Sequence, residues 1–508
     1  MTEDIDVLVV GAGPAGLTLA SDLTRRDVRV RIVDAAADGF PGSRAKGVQP
    51  RTLEVFHDLG ILDDIVSHST RYPRLGIHLG PLTLPWTMIS RHEPSEDVPF
   101  PDTLLIPQYD TDACLRRRLT SLGGHVEFST RLRSHTDTGG CVIARVAGPN
   151  GSESIHARFL VGADGGASAV RGQAGIKFVG QTDDSDKMIV ADVAVDGLAR
   201  NRWHIWPRSG GRFMALCPLP GGGKFQLMLR LKPGESPELD PAAIDNLVRQ
   251  ASGRASLRIR EVSWSSVFRP NVRLAERYRL GNVFLAGDAA HVHTPAGAQG
   301  LNNGVQDAYN LGWKLAQVLA GAPDPLLDSY EAERRPVAAR VLGMSSQLYN
   351  SLTDRPVAAA KRGDEERQLR LNYRSSPLAH DTMDIDTDTA RAVQSGDRAP
   401  DANYRDTDGC TGRLFDRFRG PHFTLLAIGD AAIAGLTSLS WPAAGAELKT
   451  VAIPTGAAPS LNRIYGLSGP AQILVRPDGY IAHLATSDWD DALARTGKAM
   501  APPQGGFG

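Results

Sequence analysis

The chain moves between two hydrophobic rhythms. Residues 5–10 are apolar at every position but Asp6, as expected of a strand buried on both faces of a sheet. Glycines punctuate 11–16, residues 17–26 carry the spacing of a helix, and 28–33 form a second apolar run. Strand, glycine turn, helix and strand in that order predict a βαβ unit. Helices are predicted at 50–59, 61–67 and 111–122, and strands at 126–132, 141–146 and 154–161. Residues 75–102 are rich in proline and histidine and read as loops and short strands that leave the first domain. From 180 to 272 strict alternation takes over. R-W-H-I-W, R-F-M-A-L-C-P-L and K-F-Q-L-M-L-R predict an antiparallel sheet, with P-G-G-G at 220–223 as a hairpin turn. A strand at 282–286 and helices at 304–319 and 328–346 return to the first rhythm.

The pattern predicts an α/β chain. A discontinuous Rossmann-like domain takes 1–75, 103–179 and 273–350, and a sheet domain inserted into it takes 76–102 and 180–272. A polar connector, partly ordered at best, covers 351–395, and a third compact unit covers 396–508. Strands are expected there at 422–428 and 471–475, a strand–turn–strand in R-P-D-G-Y-I-A-H-L, and a closing helix at 487–496. The last residues, P-P-Q-G-G-F-G, read as a loose tail.

Composition narrows the function classes. A chain of 508 residues with 42% hydrophobic positions can bury the cores of two or three domains. A formal net charge of −1 gives no basic surface for a nucleic-acid partner. The cysteines Cys114, Cys141, Cys217 and Cys410 are scattered, without disulfide or metal spacing. The first residues are acidic, and no apolar run reaches membrane-spanning length. A cytoplasmic protein without membrane insertion, a monomer or homodimer, is the expectation.

Gly11, Gly13 and Gly16 form G-x-G-x-x-G between the first strand and helix, with Pro14 and Ala15 inside it. The first glycine permits the turn, the second lets backbone approach a pyrophosphate, and the third allows close helix–strand packing. Asp34 ends the second strand, where a carboxylate can accept from an adenosine ribose. The motif alone does not separate FAD from NAD.

Two further segments do. V-G-A-D-G-G-A-S-A-V-R spans 161–171, and G-N-V-F-L-A-G-D-A-A-H-V-H-T-P-A-G-A-Q-G-L-N-N-G-V-Q-D-A-Y-N-L-G-W-K-L-A spans 281–316. With the glycine motif they resemble the aromatic-ring hydroxylases of the p-hydroxybenzoate hydroxylase type, the group A flavoprotein monooxygenases, over at least 5–319. The resemblance implies FAD as cofactor, with NADPH or NADH as transient co-substrate. It implies hydroxylation of a phenolic or polycyclic aromatic substrate, of the kind found in antibiotic biosynthesis, by O2 through a flavin C4a-hydroperoxide. Baeyer–Villiger insertion or epoxidation is the alternative with the same oxidant, and a non-catalytic flavin scaffold is a third reading. No covalent nucleophile is needed.

The resemblance also assigns residues. Asp288 would bind the ribityl or pyrophosphate region. Pro295, Gly297 and Gly300 would face the flavin ring, and Leu301, Asn302 and Asn303 open a helix whose N-terminus favours the charge at the N1/C2=O end. Asp164 would touch FAD and the nucleotide route. Arg44 would lie near the flavin ring, and Gln108 would contact the cofactor. Arg44 and Pro295 are the candidates for catalytic positioning. Two departures stand out: Thr294 precedes Pro295 where the family often has a second proline, and Asp34 replaces the commoner glutamate.

Other signals are weaker. His291 and His293 lack a third ligand, so no metal site is expected. Trp206 and Met214, with Trp203, are candidates for the substrate cavity or for the sheet core. Arg171 reads as either a phosphate or a structural arginine. The third unit resembles the thioredoxin-like domain appended to phenol and polyketide hydroxylases. It has no C-x-x-C, and Cys410 is its single cysteine, which excludes dithiol chemistry within it. R-W-H-I-W-P is only a partial echo of a halogenase motif.

Overall fold

The computed structural model describes residues 4–209, 212–294, 299–354, 365–381 and 393–501. The first apolar runs become neighbours in one parallel sheet, ordered Val283–Leu285, Gly151–Gly162, Asp4–Val10, Val30–Val33, Val126–Glu127. Helices Pro14–Thr24, Gln108–Ser121 and Gly300–Leu319 pack against it. Its strands read as near-continuous Val, Leu and Ile because both faces are covered. The strand expected at 126–132 is split into Val126–Glu127 and Arg131–Asp137. Ser129 lies between them with φ of 53°, which breaks the ladder.

A second sheet runs Arg258–Phe268, Met188–Asp196, Lys224–Arg230, Arg212–Pro218, Arg202–Ser209, Arg74–Leu79, Leu82–Trp86. The proline- and histidine-rich stretch adds two short strands to this sheet, Arg74–Leu79 and Leu82–Trp86, with loop after them. One face packs against a helix the periodicity had not revealed, Pro241–Ser252. Its signals were in the sequence. Asp240 caps it, accepting from Ala242 and Ala243 N–H at 2.8 and 2.9 Å, Pro241 opens it, and Gly253 closes it in the left-handed region.

Two histidines on that helix-facing side form a neutral chain. Arg254 donates to His78 Nδ1 at 3.0 Å, leaving His78 Nε2 to donate to His204 Nδ1 at 2.9 Å. His204 Nε2 then donates to the Ala199 carbonyl at 2.7 Å. Burial, followed by the Arg254 charge, lowers the His78 pKa from 6.5 to about 4. The unfolded chain therefore takes up the proton first as pH falls. Stability from this site is complete above about 6.5 and is lost on the way down to about 4. Melting curves across that window should fall more steeply with acid for the parent than for His78→Gln; parallel curves would remove His78 from the account.

The chain after 393 forms a third sheet, with Phe423–Ile428 parallel to Leu448–Ile453 and antiparallel to Ala471–Val475, which pairs with Ile481–Ala485. The strand-connecting turn in R-P-D-G-Y docks onto the Gly300–Leu319 helix. Asp478 accepts from Trp313 Nε1 and Asn310 Nδ2, both at 3.1 Å, and Tyr309 donates to the Pro477 carbonyl at 3.0 Å. Among the described residues no helix is long and apolar enough to cross a membrane.

Candidate active site

The carboxyl ends of four parallel strands converge. Val10 leads to Gly11, Val33 to Asp34, Gly162 to Ala163, and Leu285 to Asp288. Ligands of open α/β sheets bind outside such ends. Gly11, at φ +105°, has no room for a side chain, because a Cβ would lie 2.4 Å from the Ala163 carbonyl oxygen. A Cβ at Gly16 would lie 1.9 Å from the Gly11 oxygen. At Gly13 the same construction meets nothing within 4 Å. Two glycines therefore serve packing, and the middle one opens the helix N-terminus to a ligand. The Asp34 carboxylate accepts from Ala12 N–H at 2.7 Å and Ala36 N–H at 2.8 Å, which fixes it beside that loop with lone pairs to spare. A dinucleotide pyrophosphate and ribose fit this arrangement.

One cavity of about 810 Å³ starts here and runs to the second sheet. Gly13, Pro14, Ala15, Arg44, Gln108, Asp288, Gly300 and Leu301 all line it. Among the described residues the exposed Arg44 guanidinium has no hydrogen-bond or ion-pair partner. Gln108 opens its helix, accepting weakly from Ala45 N–H at 3.4 Å. Behind it Asp112 is buried, and burial pushes its carboxyl up to about 7. Asp288 reaches the cavity from a short helix, Gly287–Ala289. That helix is anchored by Asp307, which accepts from Gly287 N–H at 3.1 Å, pairs with His291 at 2.6 Å and with Arg334 at 2.7 Å. His291 is thus committed to a buried hydrogen bond with Asp307. Pro295 and Gly297 lie outside the described residues.

Two predicted contacts, Asp164 and Asn302, are placed differently, and the open reading of Arg171 is decided. Asp164 does not line the cavity; its carboxylate caps the Ala169–Gln173 helix, accepting from Ser168 Oγ at 2.5 Å and Ala169 N–H at 2.7 Å. Its neighbours Ala163, Gly165 and Gly166 line the wall with backbone instead. The Asn302 amide pins a strand: it donates to the Gly47 carbonyl and accepts from Gln49 N–H, both at 2.8 Å. Arg171 is structural, donating to the Ala289 and Gly166 carbonyls at 2.8 and 2.7 Å.

Trp206 and Met214 require correction as substrate candidates. Both are buried in the core between sheet and Pro241–Ser252, and Trp206 stacks on His78 at 4.2 Å. Residues of the opposite parity on the same strands, Trp203, Ile205 and Phe213, line the cavity. Side chains alternate across a strand, so parity decides the face, and the sequence did not say which parity was inward. The same face carries Met188, Met228, Trp264 and Phe268.

Sequence reasoning also missed Lys46, Ser43, Asp192 and Gln226. Asp192 and Gln226 sit opposite each other in the sheet register. Asp192 accepts from Ser43 N–H at 2.7 Å and from its hydroxyl, and Gln226 Nε2 donates to the Ser43 carbonyl and hydroxyl at 2.7 Å. Burial raises the Asp192 pKa. Residues 365–381, read as connector, pack on the helix start: Gln299 Nε2 donates to the Glu366 carbonyl at 3.1 Å, and Glu366 and Arg367 reach the cavity. Their polar sequence carried no signal for this.

Residues 4–345 match the FAD binding domain family. A flavin-dependent monooxygenase of Mycobacteroides abscessus is 41% identical, over 95% of this chain and 97% of its own. A 6-methylpretetramide 4-monooxygenase of Streptomyces rimosus is 34% identical over 94% of this chain and 90% of its own. Aklavinone-11 hydroxylase, solved with FAD and aklavinone, superposes with a TM-score of 0.80 at 28% identity, covering 98% of this chain and 99% of its own. With its glycine loop, G-D segment and inserted sheet, the chain belongs to the group A FAD-dependent aromatic hydroxylases and is an NAD(P)H-dependent flavoprotein monooxygenase.

Proposed function

We propose that this monooxygenase hydroxylates a polycyclic phenol of the aromatic-polyketide type. The observation that carries the reading is one continuous cavity joining the glycine-loop end to a sheet face of Trp203, Phe213, Trp264 and Phe268. Flat aromatic rings stack well between such side chains. Relatives acting on a pretetramide and on aklavinone support a substrate of several fused rings.

Bound FAD supplies the hydride acceptor and the oxygen chemistry. Gly13 and the following helix N-terminus would hold the diphosphate, and Asp34 would hold the ribose. Asp288 and the first N–H groups of Gly300–Leu319 line the cavity where they would meet the flavin ring, and the helix dipole would favour negative charge there. Arg44 offers a free guanidinium at the same wall. We assign the positioning role to Arg44, and to Pro295 from the family pattern alone. The apolar sheet face holds the substrate ring and excludes water from the reacting centre. The domain division at 75/76, 102/103, 179/180, 272/273, 350/351 and 395/396 follows the same reading. From the family resemblance alone we assign a thioredoxin-like character and a contact role to the C-terminal unit.

Purified protein carrying FAD should oxidise NADPH or NADH faster when a hydroxylated anthraquinone or naphthacene is added, and the product should gain one oxygen atom. Gain as a lactone would reassign the reaction to Baeyer–Villiger chemistry. Lack of stimulation by every polycyclic phenol would remove the substrate class.

The two tryptophans separate wall from core. Trp203→Ala should raise KM for such a substrate by about tenfold, the loss of one aromatic contact of about 1–1.5 kcal/mol, with melting temperature little changed. Trp206→Ala should cost about 3–5 kcal/mol of stability, as a core truncation does. The reverse pattern, read from KM and melting, would invert the assignment of faces.

A further inference from the structure

Lys46 is a cation on the cavity wall, set beside aromatic and thioether side chains. It follows Arg44 in the loop and lines the same cavity as Trp203, Met228 and Phe213. Its ammonium lies 4.8 Å from the Trp203 ring centroid and 3.9 Å from Met228 Sδ. Among the described residues its one oxygen acceptor is Gln226 Oε1. An ammonium has three donors, so two remain without an oxygen partner. Among the described residues the nearby Asp192 carboxylate makes no ion pair or hydrogen bond with Lys46; its side-chain bonds go to Ser43.

The position is fixed from both sides. Gln226 turns its Nε2 to Ser43, which leaves Oε1 for Lys46. The Lys46 carbonyl accepts from Ile106 N–H at 3.1 Å and from the Tyr72 hydroxyl at 3.2 Å. Gly47, the next residue, is pinned by Asn302 at the start of the helix that faces the cofactor end. Lys46 therefore stands between the cofactor end and the aromatic wall. Burial lowers its pKa, as expected for a cation short of partners.

We infer that Lys46 is a specificity-determining residue that receives an acidic oxygen of the substrate, a phenol or enol hydroxyl bound as its anion. This rests on the aromatic hydroxylase reading. When the hydroxyl ionises, its O–H bond breaks, the proton leaves to water, and the electron pair stays on oxygen. The retained pair raises electron density at the ortho and para carbons, where an electrophilic oxygen adds. The ammonium over Trp203 holds the anion in the plane of a ring stacked on that wall.

The test compares 1,8-dihydroxyanthraquinone with its dimethyl ether, each titrated into the FAD-loaded protein with tryptophan fluorescence as readout. A charge-assisted hydrogen bond predicts at least about tenfold tighter binding of the phenol by the parent. Lys46→Met should bring the two affinities within about twofold, and Lys46→Arg should keep a preference for the phenol. FAD content of each variant reports its fold, and Lys46→Gln repeats the comparison should Lys46→Met lose flavin. Equal affinities in the parent, or an undiminished preference in Lys46→Met or Lys46→Gln, would overturn the inference. Binding is read without turnover, so these outcomes leave the hydroxylase reading to its own assay. Failure of the parent to take up FAD would sink that reading instead.

Discussion

Gly13→Asp should fold as well as the parent and lose FAD. The backbone at Gly13, φ −79° and ψ −176°, is open to any residue, and a Cβ there meets nothing within 4 Å. Gly13 is also the N-cap of Pro14–Thr24, a position where aspartate stabilises a helix by a few tenths of a kcal/mol over glycine. The same carboxylate would occupy the space and the N–H groups that a diphosphate needs, and would repel it. Steric and electrostatic loss together should weaken FAD binding by at least about a hundredfold, about 3 kcal/mol. Apoprotein melting and the flavin absorbance retained after desalting check the two halves separately. A variant that melts like the parent and retains FAD like the parent would remove the glycine loop from the cofactor site. Gly11→Ala and Gly16→Ala do not discriminate in this way, because their side chains would strike backbone.

Glu333→Ala should unfold the junction between the family domain and the C-terminal unit. Glu333 is buried at 3% exposure. It accepts from Lys314 at 2.7 Å, Asn310 at 2.6 Å, Ser376 at 2.6 Å and Arg476 at 2.6 and 2.9 Å. Burial alone would raise its pKa, but the Arg476 and Lys314 charges outweigh that and hold it ionised. Among the described residues alanine would leave Lys314 buried with no carboxylate in ion-pair contact and Arg476 paired with Asp478 alone. Breaking a buried network by removing one partner costs about 3–5 kcal/mol. Since the native pKa lies below the unfolded one, the contribution is intact above the ordinary carboxylate range and is lost as acid protonates Glu333. Denaturant unfolding at neutral pH should show the loss; a change under about 1 kcal/mol would contradict the network's role.

The sequence revealed whatever depended on local pattern. The glycine loop, Asp34, and the segments around Asp164 and Asp288 were visible because each is a short run with a fixed backbone job. What depended on register or on distant partners was hidden. Trp206 and Trp203 differ by a single strand parity, which only the pairing with Arg212–Pro218 resolves. Asn302 was correctly placed at the helix start, but its amide is spent on Gly47, which is 255 residues away in sequence. Lys46 became conspicuous only when Asp192 and Gln226 met across two strands and claimed Ser43. Arg476 and Asp478 read as a plain turn, and their docking on Asn310 and Trp313 had no local signature.

As a group A hydroxylase this chain transfers one atom of dioxygen to an aromatic ring. The direct measurement is turnover under ¹⁸O-labelled O2 with a polycyclic phenol and NADPH or NADH, followed by mass analysis. The account predicts one labelled oxygen in the product, on ring carbon as a hydroxyl. Product oxygen drawn from unlabelled water, or substrate-stimulated NAD(P)H oxidation that leaves the phenol unchanged, would contradict it.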